Sequence, residues 1–128
     1  MLFRSLDVRR AIDAGAQGIV VSNHGGRVLD TAPATIELLP ALKTVAGDQL
    51  KVLLDGGIRR GSDVFKALAL GADAVLLGRP VMHALAVAGA LGVAHLLRLL
   101  REELEVTMAL CGCRDIADID PQFLLNPP

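Results

Sequence analysis

Three short glycine-rich segments carry the residue types that could do chemistry, and each directly follows an apolar run. The first reads Ser22-Asn23-His24-Gly25-Gly26-Arg27. It puts an ionisable side chain and a cation at one strand end, with two glycines whose missing Cβ atoms allow close approach of a bulky planar ligand. An imidazole, with an unperturbed pKa of ~6.5, is unprotonated part of the time near neutral pH and suits a base, whereas lysine stays charged. Arginine orients a planar carboxylate through paired hydrogen bonds, which a lysine point charge does not. The bland alternative is an ordinary strand-to-helix loop.

The second segment is Asp55-Gly56-Gly57-Ile58-Arg59-Arg60-Gly61. Here backbone N–H groups and a helix N-terminus can converge on an anion, and arginine adds a bidentate fork. The third supplies Gly78 and Arg79 just before another helix. A (β/α)8 barrel builds its usual phosphate site from the loops after its last two strands, so a phosphate is the natural ligand of these two loops.

The elements that must position these groups are legible in the hydrophobic pattern. Gly18 to Ser22, Val52 to Asp55 and Ala74 to Gly78 read as buried parallel strands. A helix over Leu6 to Ala14 has Ser5 as its N-cap and Gly15 just past its end. A second opens at Pro33, is bent or restarted at Pro40 and ends at Gly47. Ser62 caps a third, Asp63 to Leu70, which Gly71 closes. Val81 to Ala88 follows, Gly89 and Gly92 weaken helix continuity, and a longer helix comes next. On it Val93, Leu96, Leu97, Leu100, Leu104, Met108 and Cys111 form a packing face, opposite the solvated charges of Arg98, Arg101, Glu102 and Glu105. Asp115 to Asp120 is expected to pack back on the domain. Strands alternating with helices call for βα units and a parallel sheet.

With 128 residues, 52% hydrophobic and 21% charged, the chain is one domain with a buried core. A closed barrel takes ~250 residues, so three strands make a portion of one. Thirteen basic against 14 acidic residues offer no broad face for nucleic acid or anionic lipid. No uninterrupted apolar run approaches the ~20 residues of a membrane span. The start, Met1 to Arg10, shows no secretory signal, and Asn126-Pro127-Pro128 is no peroxisomal address. Cys111 and Cys113 read as reduced thiols, which points to the cytoplasm. His83 and His95 lack a ligand-spaced partner and read as surface or packing residues, so no metal is expected. Asp30 either steadies the first loop or faces a helix N-terminus.

Ser22 to Asp30 (SNHGGRVLD), Asp55 to Gly71 (DGGIRRGSDVFKALALG) and Gly78 to Pro80 (GRP) resemble the FMN-dependent 2-hydroxy-acid oxidases and dehydrogenases. That family includes glycolate oxidase, lactate oxidase, flavin lactate dehydrogenase and mandelate dehydrogenase. The likeness extends over essentially the whole chain, Leu99 to Cys113 included, and the first segment is its most specific part. It implies the C-terminal portion of a (β/α)8 barrel, with FMN as cofactor and a small 2-hydroxy acid as substrate.

On this resemblance His24 takes the proton from the substrate's α-carbon or hydroxyl, and Arg27 holds its carboxylate. Ser22 lies against the flavin and Asp55 binds the ribityl chain. Gly56, Gly57, Ile58, Arg59, Gly78 and Arg79 belong to the cofactor site, chiefly at its phosphate. A homo-oligomer is implied for the full-length form. Position 28 is Val where the family commonly has Gln. The family's flavin-ring lysine, substrate-side tyrosines, second arginine and histidine-orienting aspartate come from earlier strands. This chain has no Tyr, and Met1-Leu2-Phe3 stand where the lysine strand would end, so oxidation is expected only when further strands complete the barrel. Two other classes stay open: a non-catalytic phosphate- or FMN-binding half-barrel, and a ligand-free fragment that dimerises through its strand edges.

Overall fold

The computed structural model describes residues 4–125. Expectations placed on Met1 to Phe3 and on Asn126 to Pro128 lie outside the described residues. Helix α1 (Ser5–Asp13) leads into β1 (Gly18–Val21), and α2 (Thr35–Ala46) into β2 (Lys51–Asp55). Next, α3 (Gly61–Ala69) leads into β3 (Ala74–Leu76) and the long α4 (Arg79–Cys111). The strands are parallel in the order β1-β2-β3, and Val20 aligns with Leu53, which aligns with Ala74.

Strand alternation decides which face is covered. Ile19, Val21, Val52 and Leu54 point to the helix side, where Val8, Leu39, Leu42, Ala46, Leu50, Ile58 and Ala67 complete the core. Val20 and Leu76 face the other way and are exposed. Parallel sheets are ordinarily covered on both faces, and eight strands close a barrel where three leave an arc. β3 stops at Leu76, two residues short of the expected Gly78, because its ladder on β2 ends where Leu76 meets Asp55.

The helices differ from the sequence expectation at four points. Ser5 is already helical and Arg4 stands at the cap, held to Asp7 of the first turn by a 3.3 Å ion pair. α2 starts at Thr35, not Pro33, whose carbonyl instead accepts a hydrogen bond from Asn23 Nδ2 at 3.2 Å and so belongs to the loop. Pro40 does not restart α2; it sits inside one continuous helix. α3 begins at Gly61 with Arg60 at its cap, so the expected cap Ser62 lies within the first turn.

α4 is two helices joined at a break, with Ala88 (φ −146°, ψ 27°) and Gly89 (φ 57°, ψ −142°) outside helical geometry. By length and composition alone α4 is long and apolar enough to cross a membrane. The break divides it, and the second half carries Arg98, Arg101, Glu102, Glu103 and Glu105. Arg98–Glu102 and Arg101–Glu105 pair at 2.7 Å on its wet face. Leu100 and Met108 are buried, whereas Leu97 and Cys111 of the expected packing face are exposed. Phe65, Ala69, Met108, Cys113 and Ile119 form a second core, with Leu104 packed against it. Phe123 meets Phe65 edge-on at 5.7 Å, so the C-terminal turns do pack back, as expected. Burial, then the neighbouring Cys111, Asp118 and Asp120, push the Cys113 thiol upward in pKa.

Candidate functional site

The C-terminal ends of the strands meet at one cleft of about 700 Å3. At the end of β1, the buried Ser22 donates from Oγ to Asp55 Oδ2 at 2.5 Å and accepts the His24 N–H at 3.1 Å. This links the first two strand ends and fixes the start of a tight turn. His24, Gly25 and Gly26 all have positive φ, at 54°, 69° and 73°. Glycine takes that conformation freely; for histidine it is uncommon and costs energy, so the hydrogen bond to Ser22 holds His24 in a backbone state it would not choose alone.

The buried Thr35, at the first turn of α2, donates to the Asp55 carbonyl at 2.8 Å. The chain then reverses through Gly56 and Gly57, at φ 104° and 85°. Ile58 is buried in the core and anchors the loop.

Of the residues singled out in the sequence, His24, Arg27, Asp55, Gly56, Gly57, Ile58, Arg59, Gly78 and Arg79 all line the cleft. Ser22 lies beneath it, bonded to Asp55. Arg79 reaches across from α4 to the first loop, its Nη2 standing 3.7 Å from where a Cβ on Gly25 would be. Three arginines face one aspartate in the lining, so a chain of net charge −1 concentrates positive charge here.

One expectation is narrowed. At the entry to α3 the chain's own carboxylates take three of the backbone N–H groups that could meet a ligand. Asp63 Oδ2 accepts from Arg59 N–H at 3.0 Å and Arg60 N–H at 2.9 Å, and Glu103 Oε2 accepts from Gly61 N–H at 2.8 Å. The side chains of Arg59 and Arg79, with the backbone of Gly56 to Ile58 that lines the cleft, remain to meet an anion.

Sequence reasoning missed His83, which lines the same cleft. The signal was present: His83 follows Arg79 by four residues, and that spacing puts both on one helix face. Thr35, Asp63 and Glu103 were also missed as parts of the site's support. Among the described residues no group of three or more His, Cys, Asp or Glu side chains could hold a metal ion.

The family profile of FMN-dependent dehydrogenases matches residues 2–126. An L-lactate oxidase of Roseobacter sp. (strain GAI101) is 64% identical over 94% of this chain and 33% of its own length. Glycolate oxidase 1 of Oryza sativa subsp. indica is 58% identical over 88% of this chain and 31% of its own. A solved mandelate oxidase variant with a monooxide FMN adduct superimposes with a TM-score of 0.88 at 56% identity, over 91% of this chain and 37% of that one. The chain thus spans about a third of the length of the curated relatives it matches, and its three parallel strands and flanking helices are a portion of the barrel those oxidases share. On the match along nearly its whole length, the chain belongs to the FMN-dependent dehydrogenase family.

Proposed function

We propose that this chain supplies the base, the carboxylate-binding cation and the phosphate grip for FMN-dependent oxidation of a small (S)-2-hydroxy acid to its 2-oxo acid, with further βα units completing the barrel. The observation that carries the reading is a single cleft at the strand ends lined by His24, Arg27, Asp55, Arg59 and Arg79. The residues fit the cofactor. Arg59 and Arg79 give a phosphate two positive partners, and Gly56, Gly57, Ile58 and Gly78 shape the lining around them. Asp55 has one carboxylate oxygen engaged by Ser22, which leaves the other for a ribityl hydroxyl. FMN, when bound, supplies the two-electron acceptor.

The chain's own groups do the rest. Arg27 binds the substrate carboxylate through its planar fork and sets the face presented to the base. His24 takes up and holds the proton released at its imidazole nitrogen. Ser22, committed to Asp55 and to the His24 N–H, acts by position. Relatives named as lactate and glycolate oxidases support the substrate class.

Absence of Trp and Tyr leaves a quiet background for a flavin fluorescence titration. Saturable quenching by FMN is expected for the full chain. For turnover, the chain is joined to the remaining two-thirds of the L-lactate oxidase relative and mixed anaerobically with L-lactate, glycolate or (S)-mandelate. Flavin bleaching is expected, slowed at least ~100-fold by His24→Ala. An unchanged rate in that variant would remove His24 from its role. Bound FMN that none of the acids bleaches would leave the non-catalytic flavin-binding reading in its place.

A further inference from the structure

The loop after β2 carries two consecutive arginines, and only Arg59 lines the cleft. Arg60 turns the other way, its Nη1 standing 3.8 Å from Glu103 Oε1 on α4. The second oxygen of the same carboxylate accepts the Gly61 N–H at 2.8 Å across 42 residues of sequence. We propose that Glu103 is a positioning residue for the phosphate grip: by holding Arg60 and Gly61 against α4, it decides that the Arg59 guanidinium faces the cleft. The inference rests on the phosphate reading of that cleft and names a residue outside it.

Several features make the contact a fixed one. Gly61 lies so close to α4 that an added Cβ would overlap the backbone of Glu103 and Leu104. The Glu103 carbonyl is itself tied to Thr107 Oγ1 at 2.7 Å. On the opposite side of the turn, Asp63 takes the Arg59 and Arg60 N–H groups. The backbone from Arg59 to Gly61 is thus clamped from both sides by carboxylates, which sets the opposite directions in which the Arg59 and Arg60 side chains leave it. Without Glu103, Arg60 loses its anionic partner, and the Gly61 N–H at the positive end of α3 is left open.

The test uses the full chain and two probes that differ only in the phosphate, FMN and riboflavin, with dissociation constants from flavin fluorescence. The wild type is expected to prefer FMN. Glu103→Ala is expected to lower that preference about tenfold while riboflavin affinity holds, because general loosening would weaken both probes alike. Arg59→Ala is expected to abolish most of the preference, and adding Glu103→Ala to it should change nothing more, since Glu103 acts through Arg59. If Glu103→Ala does not fold, Glu103→Gln carries the test with a smaller drop of about threefold, as it keeps an acceptor for Gly61 but loses the ion pair.

A preference undiminished in a folded Glu103 variant would overturn the proposal, as would a further loss in the double variant. A wild type that binds riboflavin as tightly as FMN would overturn the phosphate reading itself, a separate result.

Discussion

At the scale of single residues, the site is held by short polar bonds and by backbone states only some residues accept. Ser22 shows this best, since one hydroxyl serves both Asp55 and the His24 N–H. Ser22→Ala leaves a half-buried carboxylate oxygen and the N–H of a left-handed histidine without these partners. A loss of ~1 kcal/mol is expected, checked by urea unfolding. Asp73, before β3, is the other strongly held group, accepting from Val52 N–H, Lys43 Nζ and Lys51 Nζ at 2.9 Å each. Burial alone would raise its pKa; Val52, Lys43 and Lys51 together outweigh that and hold the carboxyl at about 2. The folded value lies below the ordinary ~3.9, so the stabilising contribution is full above that ordinary value and is lost as pH falls from there toward 2. Asp73→Asn should therefore lower the urea midpoint at neutral pH. The gap to the parent should close in acid, and a gap independent of pH would contradict the assignment.

At the scale of elements, two glycines are required by contact. Alanine is favoured over glycine within a helix by ~1 kcal/mol, yet Gly61→Ala is expected to cost ~1–3 kcal/mol because its Cβ meets the backbone of Glu103 and Leu104. Thermal unfolding would decide which effect wins. The same argument applies to Gly92, where a Cβ would overlap the Ala84 carbonyl oxygen. Such contacts mark what was illegible in the sequence. Strands and helices showed through apolar periodicity and glycine placement, and the His24, Arg59 and Arg79 segments showed because each follows its strand at once. The cap of α3 was misplaced by two residues because Arg60 has no short side-chain oxygen, whereas the group that satisfies the turn, Asp63, acts from inside it. Glu103 was invisible because no local pattern joins residues 42 apart. His83 was legible but was judged by its lack of metal partners, when its spacing from Arg79 was the informative quantity.

At the scale of the whole molecule, three strands present an uncovered face at Val20 and Leu76, and β1 and β3 each pair on one side only among the described residues. Unpaired strand edges and exposed apolar surface favour association. The chain on its own is expected to bind an apolar fluorescent dye and to sediment with a concentration-dependent mass. Val20→Lys is expected to reduce both, and a dye-free, strictly monomeric wild type would contradict this. The interruption at Ala88 and Gly89 has a mechanical consequence at this scale. Gly89 holds φ 57° and ψ −142°, a combination essentially confined to glycine, and it separates the turn bearing Arg79 and His83 from the stretch bearing Glu103 and Met108. The two stretches meet at a corner that is braced, because Gly92 of the second abuts the Ala84 carbonyl of the first. The cleft-lining turn is thereby keyed to the stretch that packs on α3, and a side chain added at this corner would disturb the site and the anchor together.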